Sequence, residues 1–311
     1  MYLEDIDISW KVKYDHHILN GNLAKATELK NGNINRSLFK YRCFDKNKDW
    51  VKWINGTIFV GSPSRFNDPF DCLLSVTADA KRKLLIDAAK EFLSEKVKLS
   101  KLDKSRLAVS DNTVEAICTI LEQNGVLINR ELIDGSLLEA KMREKTDSKF
   151  RDIFKISCFS ENNNSILMWS HYANHHQGFC IEYDFSNDKH VSNKLYPVTY
   201  STQRFILQLC HLKKKSSWSI SAVLCKASEW AYENEWRYIN AVNPDAADQS
   251  DSPIILSTPN SIKSVYLGVD AMNNNKESVE NLKHATKELK IPLYEMKFDD
   301  FEYKLVPKKI S

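Results

Sequence analysis

The segment Trp230-Ala-Tyr-Glu-Asn-Glu-Trp-Arg237 sets two carboxylates two residues apart inside a frame of aromatic rings. In extended chain Glu233, Glu235 and Arg237 project from one side, because strand side chains alternate with a period of two. Two acids on one side can bind sugar hydroxyls, hold a metal or divide acid and base work, and Arg237 can pair with one of them. A surface Glu–Arg ladder at a strand edge has the same spacing. The rings of Trp230, Tyr232 and Trp236 argue for burial instead, where charges need a ligand or a partner.

Three other islands share this mixed character: Tyr41-Arg42, Phe66-Asn-Asp-Pro-Phe-Asp71, and Ser157-Cys-Phe-Ser160 running on to Met168-Trp-Ser-His-Tyr172 and Gly178. A strand arginine among apolar neighbours needs an anion, and Arg42 suits either a phosphate or an internal acid such as Asp71 or Glu182. A helix over Ile166–His175 would place Trp169, Tyr172 and His176 on neighbouring turns. Tyr172 can then stack on a planar ligand ring with Trp169 as a wall, or both can be core aromatics. Asn67 and Asp68 sit in a proline-bounded loop, which Asp68-Pro69 shapes.

Metal chemistry has weaker signals. His171 and His175 have the spacing of a helical metal pair, but no glutamate stands between them and no third ligand has a signature. Cys158 and Cys180 fit buried strands better, so no metal is expected. Glu182 and Asp184 share one side of their strand and, with Glu233 and Glu235, could make a two-metal nuclease site. That pattern lacks a well-placed strand lysine.

The elements that must position these residues follow from local pattern. Residues 1–36 are polar and read as an N-terminal extension, helical in part; residues 37–311 read as a single α+β domain. Strands are expected at Leu38–Phe44, Thr57–Val60, Ile153–Phe159, Phe179–Phe185, and near 195–200, 236–242, 253–258, 263–268 and 292–298. Between them, 79–152 reads as a helical insertion with Leu84, Leu85, Ala88, Phe92 and Leu93 on one face. Helices are also expected at Trp50–Trp53, in parts of 203–228 and over 275–290. Strands and helices do not alternate regularly, which favours α+β over a doubly wound parallel sheet.

Bulk properties are ordinary. With 311 residues, 42% apolar and 27% charged, the chain can bury a real core. A formal charge of +3 is too small to argue for nucleic-acid binding, and the run Lys213–Lys215 reads as a solvated loop. Eight glycines and no glycine-rich phosphate loop or Gly-x-Ser-x-Gly elbow disfavour the nucleotide folds built on them. Seven cysteines without paired spacing read as reduced thiols. The acidic start Met1–Asp7 lacks the layout of a signal peptide and no run is long enough to span a bilayer, so a cytoplasmic address without membrane contact is expected.

Taken together, Tyr41-Arg42, Gly61–Asp71, Cys158–Ser160, Met168–Tyr172 with His176 and Gly178, and Trp230–Arg237 resemble the bacterial family called domain of unknown function 2971. The family label implies no activity. The order of strand arginine, serine-bearing strand, aromatic helix and Glu-x-Glu is also similar to the ADP-ribosyltransferase superfamily of the arginine–serine–glutamate type. This second resemblance implies a split β-sheet core and cleavage of the nicotinamide–ribose bond of NAD, held as substrate. ADP-ribose would pass to water or to a macromolecular acceptor, protein or nucleic acid. It also implies a toxin or phage-defence setting with an antitoxin or regulatory partner. Carried over, Arg42 with Tyr41 contacts phosphate or ribose, and Ser157 or Ser160 supports the nicotinamide pocket. Tyr172, with Trp169, stacks on nicotinamide. Glu235 holds a ribose hydroxyl and stabilises the oxocarbenium-like transition state, while Glu233 orients the acceptor. The serine segment departs from the usual Ser-Thr-Ser, and the long insertion is atypical. A nucleotide-sensing or partner-binding module without catalysis would share the same aromatic pocket.

Overall fold

A computed structural model describes residues 8–45, 50–110, 112–128, 150–151, 153–213, 218–241 and 254–310. Strands in chain order are β1 (Leu38–Arg42), β2 (Thr57–Val60), β3 (Ser75–Val76), β4 (Phe154–Ser160), β5 (Phe179–Tyr183), β6 (Leu195–Pro197) and β7 (Thr199–Ser201). They continue with β8 (Ile206–Leu207), β9 (Cys225–Ala227), β10 (Glu235–Ala241), β11 (Ile254–Ser257), β12 (Ile262–Leu267), β13 (Leu293–Phe298) and β14 (Leu305–Lys309). Eight of them form one sheet in the order β14-β13-β12-β5-β1-β4-β10-β6. Only β12 and β13 run parallel; the other neighbours are antiparallel. The protein is therefore mixed α/β around a mixed sheet, as the irregular succession of helix and strand signals indicated.

One joint in this sheet is weak. β1 pairs with β5 from Leu38 to Arg42, and β4 pairs with β10 along its whole length. β1 and β4 share a single registered pair, Phe39 opposite Ser160. Past that pair the two strands part, so Arg42 has no partner on β4.

Strand alternation assigns the two faces. On one face Leu38, Phe159, Phe179, Ile181, Trp236 and Tyr238 pack with Trp50 and Trp53 of the helix Trp50–Ile54 and with Val279 and Leu282 of the helix Lys276–Glu288. On the other, Phe39, Tyr41 and Cys180 pack with Met168 and Trp169 of the helix Ile166–Tyr172. Ile156 and Ile239 on that second face meet Tyr14, Ile18 and Ala26 from the helices Ile8–Leu19 and Leu23–Asn33. The polar N-terminal segment is thus built into the core: Tyr14 and Ile18 stand one turn apart, and Lys30 donates to the carbonyls of Ser192 and Asn193.

The block read as an insertion forms helices Ala78–Ser94, Lys101–Val109 and Thr113–Gln123, capped by Thr77, Ser100 and Asn112. Ile86, Leu93, Leu107, Ile117 and Ile120 give it an apolar cluster of its own. Residues 111, 129–149 and 152 of the expected insertion, Met1–Asp7, and Lys214 and Lys215 lie outside the described residues. Among the described residues no helix is long and apolar enough to cross a membrane, and no cysteine forms a disulfide.

Several boundaries differ from expectation. β1 stops at Arg42 rather than Phe44, and the expected strand at 195–200 breaks at Val198 into β6, paired with β10, and β7, paired with β9. The helix expected to reach His175 ends at Tyr172, because Asn174, His175 and His176 all take left-handed backbone, with φ of 46°, 54° and 65°. That turn brings Gly178 against β1. A Cβ on Gly178 would stand 2.0 Å from the Arg42 carbonyl oxygen and 3.0 Å from that of Ala173. Only glycine allows the close approach that seats Arg42.

Gly178→Ala should therefore destabilise the protein by at least about 2 kcal/mol, read as a lower melting temperature. An unchanged melting temperature would contradict this close packing.

Candidate functional site

Where β1 and β4 part, a crevice with a cavity volume of about 330 Å³ passes between the strands. Lys40 and Arg42 enter it from the face that carries Phe159 and Trp53. Tyr172, Glu233 and Glu235 enter from the other, so only the gap lets the two sets share one space. Ser157, Ser160, Tyr41 and Asn67 also line it.

Arg237 anchors the second set. Its side chain is fully buried on β10, where Nη1 and Nη2 donate to Asp71 at 2.9 and 2.6 Å and Nε donates to Glu235 at 2.8 Å. Nη1 also reaches the Val223 carbonyl at 2.5 Å. Lys226 on β9 then bridges Glu233 at 2.5 Å and Glu235 at 2.9 Å, beneath the Trp230 ring. Tyr172 donates to the free side of Glu233 at 2.7 Å and accepts from Asn67 at 3.2 Å. The Ser160 hydroxyl donates to the Glu233 carbonyl at 2.5 Å, which fixes the backbone beside the carboxylate.

The two glutamates converge by a different route from the one their spacing implied. Glu233 ends a 3-10 turn (Ser228–Glu233), and Asn234 takes left-handed backbone at φ 43°, ψ 56° before β10 begins at Glu235. Extended alternation therefore holds for Glu235 and Arg237 but not for Glu233.

Their environments pull their acidities apart. Burial opposes the charge of Glu235, but Arg237 and Lys226 outweigh it and hold its carboxyl below the usual range. Burial, and then the charge of Glu235, push Glu233 up despite Lys226. Lys226 and Arg237 are shared among Asp71, Glu233 and Glu235, Lys226 bridging the two glutamates and Arg237 pairing with Asp71 and Glu235. Burial opposes the charge of Lys226 too, and the two glutamates reverse that and hold it protonated.

Across the gap the balance is opposite. Arg42 stacks on Trp53 at 4.5 Å and, among the described residues, pairs with no carboxylate; neither Asp71 nor Glu182 serves it. Lys40 donates to the Ser157 hydroxyl at 2.8 Å and the Cys158 carbonyl at 2.7 Å. Burial, and then the charge of Arg42, lower its pKa to about 7. Lys40 and Lys226 had no sequence motif. Each is one lysine in an apolar strand, the only signal that pointed to them.

Other candidates have different places. Trp169 is a core anchor, with its indole N–H on the Asn163 carbonyl at 2.7 Å and its ring edge-on to Tyr41. Tyr41 itself donates to the Asn162 carbonyl at 2.6 Å. Asp68 caps the loop by accepting from the Phe70 amide at 2.8 Å. His176 lies outside the crevice lining, with a buried Nδ1 that has no hydrogen-bond partner. His171 and His175 lose their helical metal spacing where the helix ends. Glu182 is bound by Ser37, Ser264, Tyr266 and Lys263, and Asp184 accepts from the Ser186 amide. The four-carboxylate set is thus not assembled, and no group of three or more His, Cys, Asp or Glu side chains suited to a metal occurs among the described residues.

Residues 168–238 match a family described as protein of unknown function (DUF2971), which supports the resemblance drawn from the motifs Met168–Tyr172, His176, Gly178 and Trp230–Arg237. No curated protein and no solved structure matches the chain.

Asp71→Ala should cost about 3–5 kcal/mol, because it leaves the Arg237 charge buried and half-paired. Glu235, with its depressed pKa, adds stability that is fully present above its ordinary value of 4.5 and is lost as pH falls toward its folded value. Chemical denaturation from pH 6 down should show a shallower loss in Glu235→Gln than in the unaltered chain. Parallel slopes would sink this assignment.

Proposed function

We propose that the crevice is a nucleotide site and that the protein is an ADP-ribosyltransferase-like enzyme acting on NAD. The supporting observation is the gap between β1 and β4, with the unpaired Arg42 cation on one side and the Tyr172–Glu233–Glu235 group on the other. The cavity lies at the small end of ligand pockets, so a dinucleotide would extend from its mouth.

The divided acidities of the glutamates suit the roles. Glu235, held ionised, supplies the fixed negative charge that stabilises a cation developing on ribose as the carbon–nitrogen bond to nicotinamide breaks. The bonding pair leaves with nicotinamide. An acceptor oxygen or water then bonds to the ribose carbon and gives its proton to Glu233, whose raised pKa fits it for that task. Tyr172 offers its ring to nicotinamide, and Arg42 offers its guanidinium to phosphate. The acceptor, the toxin or phage-defence setting and any antitoxin partner belong to the same proposal.

One observation favours a binding module instead: both oxygens of Glu235 already accept hydrogen bonds from Arg237 and Lys226. That version binds the nucleotide without turning it over.

Incubation with NAD, with and without cell extract, should release nicotinamide. Glu233→Gln and Glu235→Gln variants that melt normally should each slow release on the order of 10²–10³-fold. NAD binding without release would favour the binding module, and neither binding nor release would overturn both readings.

A further inference from the structure

Lys40 and Arg42 stand two apart on β1, so they project from the same side roughly 7 Å from each other. Neither has a carboxylate partner among the described residues, although three carboxylates line the same crevice. Lys40 is held by a hydroxyl and a carbonyl and lies over the Phe159 ring at 4.8 Å, while Arg42 lies on Trp53. Two neighbouring cations served only by neutral groups and aromatic faces leave a position for a doubly charged anion. Resting on the nucleotide reading above, we infer that Lys40 and Arg42 together hold a diphosphate diester and that Lys40 takes up a proton from solvent as the anion enters.

The charges around Lys40 single it out as the group that titrates. Arg42 on its own strand stays cationic, and Tyr183 of β5, which faces Arg42, is raised by burial and stays neutral. Cys158 on β4 is pushed well up by burial and stays a thiol. Glu235 on β10 stays ionised, and Lys226 stays protonated. Arg65, Asp71 and Glu233 complete the charged lining. Without ligand, Lys40 has a pKa of about 7, set by burial and then by Arg42, so at pH 8 it is largely neutral. Two added negative charges beside Lys40 offset the effects of burial and of Arg42 and favour the ammonium form.

The sign follows. Below pH 7 Lys40 is already protonated and affinity is flat; above it, affinity falls by up to tenfold per pH unit as the proton must be supplied. ADP-ribose is the suitable probe, because its two diester phosphates keep one charge each across this range. Calorimetric titration of the full chain in buffers of different ionisation enthalpy should show net proton uptake on binding at pH 8 that shrinks toward zero as pH falls below 7. Lys40→Arg should bind with no uptake and a flat pH profile. Lys40→Met should bind at least about tenfold more weakly at pH 6. Adenosine, which has no phosphates, should show no uptake in any variant.

Absence of ADP-ribose binding, pH-independent binding to the unaltered chain, or unchanged uptake in Lys40→Arg would each overturn the inference. The unaltered chain alone suffices if both variants fail to fold. Proton-linked binding of ADP-ribose without nicotinamide release from NAD would leave the inference standing and defeat the enzymatic reading. Release without proton uptake would do the reverse.

Discussion

The buried guanidinium of Arg237 is the constraint on which the site depends. A fully buried cation must be paired and hydrogen-bonded, and its neighbours supply this from three separate parts of the chain. Asp71 brings in the proline-bounded loop, Val223 the end of the helix Trp218–Leu224, and Glu235 the start of β10 itself. With Glu235 fixed, Lys226 is drawn between it and Glu233, and Tyr172 and Asn67 close around Glu233. Each link orients the next, so the crevice-lining groups inherit their positions from a charge that lies outside the crevice lining.

The opposite wall is organised by absence of pairing. β1 is fixed through β5 and by the glycine that lets the chain pass its backbone, while β4 is fixed through β10. At their common end the Ser160 hydroxyl accepts from the Asn162 amide and donates to the Glu233 carbonyl, and Tyr41 holds the Asn162 carbonyl. These bonds satisfy polar groups beside the gap without closing it. Lys40 and Arg42 are left facing the crevice with aromatic support, and this basic wall meets one that carries Asp71, Glu233 and Glu235. A ligand with an anionic end and a cation-forming end suits such a space.

Much of this was legible before the fold was known, for identifiable reasons. β2, β4 and β5 are short β-branched and aromatic runs, and the helix expected from Ile166 begins there, capped by Ser165. The grouping of Tyr172, Glu233, Glu235 and Arg42 followed from residue type alone, since aromatic neighbours around charges point to a shared pocket. The route to that grouping was not legible. The left-handed turn at Asn234 and the early end of the helix at Tyr172 are set by tertiary contacts. Lys40 and Lys226 escaped notice because a single strand lysine has no periodic signature, and Trp169 has the same signature in a core as in a pocket. The parting of β1 and β4 depends on which distant strands each prefers, information that no local window contains.

The central claim is that the gap between β1 and β4 receives a nucleotide. A crystal structure of the full chain with saturating ADP-ribose tests it most directly. The account predicts ligand density in the gap, with the diphosphate about 3 Å from the Arg42 guanidinium and the Lys40 ammonium and the terminal ribose beside Glu233 and Glu235. An empty gap, or ligand bound elsewhere, would contradict it.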